Sequence, residues 1–178
     1  MTFTRWLPTF LAFPLAGLIT IETVGSLSGP ASAAAGGLLA GAVIGAGQWL
    51  ALRPRVGRRW IGATAAAMAA GAAVSAALTG AGTELADVMA AGLVTGAAVG
   101  AAQSAVLGRG ARAGAVWTLA TAAGWSLGWL VTWQVIVDVE RGHHVFGSSG
   151  ALVATLITGA ALRFVLGRGA RPVAAPAA

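Results

Sequence analysis

The residues able to do chemistry are few, and several gather in one stretch. His143 and His144, the only histidines, follow Asp138, Glu140 and Arg141. Imidazole beside carboxylate can bind Zn²⁺ or Cu²⁺, or change charge near neutral pH. Adjacent loop residues converge on a metal only with partners from elsewhere, such as Glu84 or Asp87, and the spacing follows no established zinc pattern. The metal candidates are therefore His143, His144, Asp138 and Glu140, while the expectation is a solvated polar loop with no cofactor.

Serine chemistry meets a similar obstacle. Gly147-Ser148-Ser149-Gly150 carries the Gly-x-Ser-Gly that resembles the nucleophile motif of rhomboid intramembrane proteases, which pair the serine with a histidine on a later helix. Here no histidine follows Ser149, and His143 and His144 precede it by only a few residues. A nucleophile without a base in reach is inert, so Ser148 or Ser149 is expected to cap the last helix instead. The chain also lacks cysteine, lysine and tyrosine, which removes thiolates, disulfides and Schiff-base attachment. A non-enzymatic protein is the expectation.

Five further polar residues fall in or beside apolar segments: Glu22, Gln48, Gln103, Gln134 and Arg163. Polar groups at membrane depth are costly and often mark a pathway, so these five are the candidates for a membrane polar path. All lie close to segment ends, where snorkelling lowers the cost. The two inner-end glutamines are better read as interhelical hydrogen-bond partners. Trp125, Trp129 and Trp133 form a stripe beside Gly124 and Gly128 that could hold a lipid, quinone or pigment and is expected to pack against a neighbouring helix. Trp6, Trp49, Trp60 and Trp117 are expected at the membrane interface as an aromatic belt.

Composition dictates which elements position these groups. The 178 residues are 57% hydrophobic and 9% charged, with mean hydropathy +0.82, against about 25% charged in soluble domains. A soluble alanine-rich bundle would need polar outer faces that no segment here has. A spanning helix needs about 20 apolar residues, and the charge-free stretches predict six, near 6–26, 31–52, 60–80, 87–108, 114–137 and 149–167. The fold class is all-α, an integral membrane protein.

Internal repetition organises those helices. Gly37, Gly41 and Gly45 recur as Gly92, Gly96 and Gly100, each triplet followed three residues later by glutamine. Four residues are about one helical turn, so each triplet lines one face and admits a second backbone closely. Trp6, Trp60 and Trp117 each precede a glycine by eleven residues, namely Gly17, Gly71 and Gly128. Thr155 and Gly159 align with Gly41 and Gly45, and Leu162-Arg163 stand where the first copy has Gln48-Trp49. Three tandem helical hairpins follow, about 5–52, 60–108 and 114–167, with glycine-zipper packing, in one domain over 1–172 and an Ala/Pro-rich tail at 173–178. The match of Trp6 and Gly17 to the later odd helices keeps the first segment as a helix, not a cleaved signal, with a kink expected at Pro14.

All eleven basic residues are arginine, and ten of them, all but Arg141, fall on one side of this topology; the five acidic residues fall on the other. The positive-inside rule makes the arginine side, with both termini, cytoplasmic. The net charge of +6 is then sorted by orientation and anionic lipid, with no nucleic-acid partner. The combination Gly-x3-Gly-x3-Gly-x2-Gln-Trp-Leu-x-Leu-Arg at 37–53, followed by Trp60 and its glycine, resembles repeats in uncharacterised bacterial polytopic membrane proteins. That resemblance implies a multi-pass protein of the bacterial cytoplasmic (inner) membrane and no particular activity. Two functions suit the sequence: a structural or accessory subunit whose glycine faces bind a partner helix or a second copy, and a small channel or transporter for a small solute or cation. The first predicts a dry core, the second a wet axis.

Overall fold

The computed structural model describes residues 3–135 and 141–167. Among them are six helices and no strand: α1 (Phe3–Thr23), α2 (Pro30–Leu52), α3 (Arg59–Thr79), α4 (Leu85–Leu107), α5 (Ala111–Val135) and α6 (Ser148–Gly167). Every helix but α5 is long and apolar enough to cross a membrane, which marks a multi-pass membrane protein. α5 has 25 residues, but its four tryptophans and its threonines lower its hydropathy. Asp138, Glu140, Arg168, Arg171 and the 173–178 tail lie outside the described residues.

Local chemistry sets the helix ends. α2 opens with Pro30, whose fixed φ suits a first turn and whose missing N–H costs nothing there. α3 and α4 stop at Gly80 and Gly108, which take the left-handed conformation with φ of 65° and 59°. In α1 the irregularity falls before Pro14: Leu7–Leu11, with Pro8 in its first turn, is a 3₁₀ segment, and α-helix resumes at Ala12. A proline ring clashes with the turn that precedes it, which is where the geometry gives way.

The six helices form a ring. Each packs against its neighbours in the chain, and α6 returns to α1 to close the circle. The tightest seams run between an even helix and the odd helix that follows it, across the boundaries of the expected hairpins. On α2, a Cβ added at Gly37 would lie 2.7 Å from the Met68 carbonyl oxygen, and at Gly41 2.7 Å from Ala65 Cα. On α4, a Cβ at Gly96 would lie 2.8 Å from the Thr121 carbonyl oxygen, and at Gly100 2.7 Å from Thr118 Cα. At the closing seam, a Cβ on Gly159 of α6 would lie 2.7 Å from the Phe3 ring and 2.8 Å from the Trp6 ring. Both triplets are thus occupied within the chain and present no free face to a partner, contrary to the expectation from spacing alone.

Gly124 and Gly128, expected as packing positions on α5, face α6. A Cβ at Gly124 would make an ordinary 3.5 Å contact with Ala154 Cα, whereas one at Gly128 would lie 3.1 Å from the Gly150 carbonyl oxygen.

Gly41→Ala and Gly96→Ala should each destabilise the bundle by about 1–3 kcal/mol, since backbone cannot move aside as a flexible side chain can. Gly62→Ala, on α3 with nothing near its missing Cβ, should be neutral or stabilising by up to about 1 kcal/mol. Unfolding of the three variants in one mild detergent measures the contrast.

Candidate functional site

The three tryptophans that open the odd helices converge on the ring axis at the arginine-rich end. The Trp6 and Trp117 ring centroids are 6.0 Å apart and those of Trp60 and Trp117 6.2 Å. Each is at most 1% exposed. The expected lipid-facing belt is therefore wrong for these three; only Trp49 stays at the surface, beneath the Arg53 and Arg58 guanidiniums. Small residues bring the helix walls together at the seams, but a six-membered ring still encloses an axis. Only large side chains reach far enough to fill it.

A buried indole needs an acceptor for its N–H, and the even helices supply one each time. Trp60 Nε1 donates to Gln48 Oε1 at 3.2 Å, and Trp117 Nε1 to Gln103 Oε1 at 3.1 Å. Gln103 Nε2 then donates to Gln48 Oε1 at 2.8 Å and to Thr64 Oγ1 at 2.9 Å. Thr64 Oγ1 itself donates to the Trp60 carbonyl oxygen, which extends the network to the α3 backbone. In the third copy Leu162 replaces glutamine, and Trp6 Nε1 turns to the Thr155 carbonyl oxygen at 3.1 Å and to Thr158 Oγ1 at 3.3 Å. The sequence marks Thr155 only as the residue aligned with Gly41, and it does not single out Thr64 or Thr158. Their signal was available in retrospect: each lies one or two turns from a tryptophan or glycine of the repeat.

The five polar-path candidates do not meet. Gln48 and Gln103 are buried together, while Glu22, Gln134 and Arg163 are exposed. Of the metal candidates only His143 and His144 are described, Asp138 and Glu140 lying outside the described residues, which contain no group of three or more His, Asp or Glu able to hold a metal. His144 instead lies against Gly36 of α2, its Nε2 2.8 Å from the Gly25 carbonyl oxygen. Between Gly142 and Phe146 the chain is packed and not solvated. Val145 and Phe146 are buried, Phe146 stacks on Phe13 at 5.0 Å, and Leu27 N–H donates to the Gly142 carbonyl oxygen.

His144 and Val145 enter the seam between α1 and α2 at the end away from the arginines, where a Cβ on Gly17 would lie 3.3 Å from Val145 Cγ2. Trp125 and Trp129 complete the same apolar cluster with Phe13 and Phe146, leaving only Trp133 of that stripe exposed. The serine cap expected on α6 does not form: Gly147 N–H donates to Thr132 Oγ1, and neither Ser148 nor Ser149 makes a side-chain hydrogen bond among the described residues. Towards the arginine-rich end of the α1–α2 seam a shallow, largely apolar groove of about 690 Å³ remains, lined by residues including Arg5, Leu11, Leu15, Val43 and Leu50.

No protein-family model, curated protein or solved structure matches this chain.

Gln103→Leu should cost about 1–3 kcal/mol, because Trp117 Nε1 loses its acceptor in a dry core. The double variant Gln48→Leu/Gln103→Leu should cost less than the sum of the single changes, since the two share one network. Tryptophan-monitored unfolding of the four proteins gives the coupling.

Proposed function

We propose that this chain is a non-enzymatic integral membrane protein acting as a structural or accessory subunit. It crosses a bacterial cytoplasmic membrane six times, with both termini and the arginine-rich end in the cytoplasm. α5 serves as the sixth crossing, since 25 residues extend about 37 Å. The arginine asymmetry supports the orientation, and the resemblance of its repeats to those of bacterial polytopic proteins supports the compartment.

The observation that carries the functional reading is the filled axis. Trp6, Trp60, Trp117 and Leu162 occupy it at the arginine-rich end, and Phe13, Trp125 and Phe146 narrow the opposite half to a cavity of about 50 Å³ beside Ser75, Thr95 and His144. Gln48 Oε1 and both polar atoms of Gln103 are engaged with one another, with Thr64 and with the indoles, so these atoms are committed to packing. Conduction needs a wet or readily wetted path. The glycine triplets are used internally, so a partner helix or second copy would dock on the lipid-facing side chains, not on the glycine faces.

Two measurements test the proposal. The isolated protein in proteoliposomes should carry no selective flux of small cations or neutral solutes, and Glu22→Gln should leave that background unchanged. Mild-detergent extraction from its native membrane should retain a stoichiometric partner or a defined homo-oligomer. Selective flux that scales with protein amount would overturn the structural reading in favour of a channel or transporter.

A further inference from the structure

The seam that closes the ring, between α6 and α1, opens at the arginine-rich end into a pocket of about 250 Å³. Its walls include Phe3, Trp6, Leu162 and two guanidinium-bearing residues, Arg55 and Arg163. Gly159 brings the two aromatic rings against α6 and makes them the floor. The other two copies are closed at the aligned position. Trp49 is covered by Arg53 and Arg58, and Ser104 bonds to the Gly100 and Gly114 carbonyl oxygens. In the third copy Arg163 takes that place and stays exposed.

Neither Arg55 nor Arg163 forms an ion pair or hydrogen bond among the described residues. The described residues offer no aspartate or glutamate at this end, since Glu22, Glu84 and Asp87 lie in or beside the opposite helix ends. Two unneutralised guanidiniums beside an apolar, aromatic wall call for an anion with a greasy continuation. Guanidinium binds phosphate oxygens in a fork geometry that ammonium cannot copy. Basic pockets between membrane helices are suited to anionic lipid headgroups.

We propose that this pocket binds one anionic phospholipid, its phosphodiester held between Arg55 and Arg163 and its glycerol and upper acyl chains against Phe3, Leu162 and the outer surface of α6. The site rests on the membrane reading of the helices. It gives the subunit a lipid partner, independent of whether it also conducts.

Native mass spectrometry of the full chain in mild detergent tests this, with phosphatidylglycerol and phosphatidylcholine of identical acyl chains as probes. One phosphatidylglycerol should remain bound with about tenfold preference over phosphatidylcholine. Arg55→Gln/Arg163→Gln should lower that affinity about tenfold or more, and Arg55→Lys/Arg163→Lys should recover only part of it. Arg109→Gln/Arg112→Gln removes equal charge from the same end outside the pocket and should change affinity less than about twofold. Thermal unfolding of each variant separates lost binding from lost fold, and the lysine pair stands in if the glutamine pair unfolds. Equal binding of phosphatidylcholine, or an equal loss in the Arg109/Arg112 variant, would overturn the site. Displacement of the lipid by glycerol 3-phosphate at matched concentration would assign it to a soluble phosphate ester instead. Flux by the isolated protein bears on the structural reading alone and leaves this result untouched.

Discussion

The approach of helix backbones at the glycine seams is the constraint on which the rest of the structure depends. In a bilayer, apolar side chains gain little by leaving lipid for protein, so helix association rests on close packing and interhelical hydrogen bonds. Gly37 and Gly41 against α3, and Gly96 and Gly100 against α5, allow contact at distances a methyl group would prevent. A ring walled so tightly has no room for bulk at its seams. The bulk must go to the axis, and there Trp6, Trp60 and Trp117 meet. Small seams and a large-residue axis are two consequences of one geometric choice.

The axis in turn imposes a polar requirement. Three indole N–H groups in a dry interior each need an acceptor, and an unsatisfied donor there costs about 1–3 kcal/mol. Gln48 and Gln103 meet two of these demands and also bond each other; in the third copy the helix backbone at Thr155 does so, because Leu162 has no acceptor to offer. Glutamine at membrane depth is thus accounted for by packing. That weakens the inference from buried polarity to a conducted solute, which holds only where the polar atoms remain free.

Much of this was legible in the sequence, and what was not has a common cause. Periodicity gives the height of a residue along a helix and the face it shares with its neighbours. It does not say which other helix that face meets. The spacing of Gly92, Gly96 and Gly100 revealed a packing face, but whether α5, α3 or a second molecule covers it depends on the ring. Trp6, Trp60 and Trp117 were placed at the correct end of their helices and on the wrong side, since an interfacial tryptophan and an axial one occur at the same depth. His143 and His144 looked like a solvated loop because nothing local records that α1 and α2 pack loosely enough for Val145 and Phe146 to enter between them.

The third copy departs from the other two at both ends of the ring, and each departure has a physical partner. At the end away from the arginines His144 and Val145 enter between α1 and α2, against Gly36 and Gly17, and help to close that part of the seam. At the arginine-rich end Leu162 and Arg163 take the places of glutamine and of tryptophan or serine, which removes side-chain acceptors from the core and sets a cation at the rim. A strictly symmetric ring would bury three equivalent glutamines and leave no uncovered guanidinium beside an aromatic floor. The loss of symmetry costs the network one member, and it creates a pocket that joins two guanidinium-bearing residues to aromatic and apolar walls. Such a place is ordinarily filled in a membrane, because lipid phosphates lie at that depth and supply the counter-charge that this end of the chain lacks.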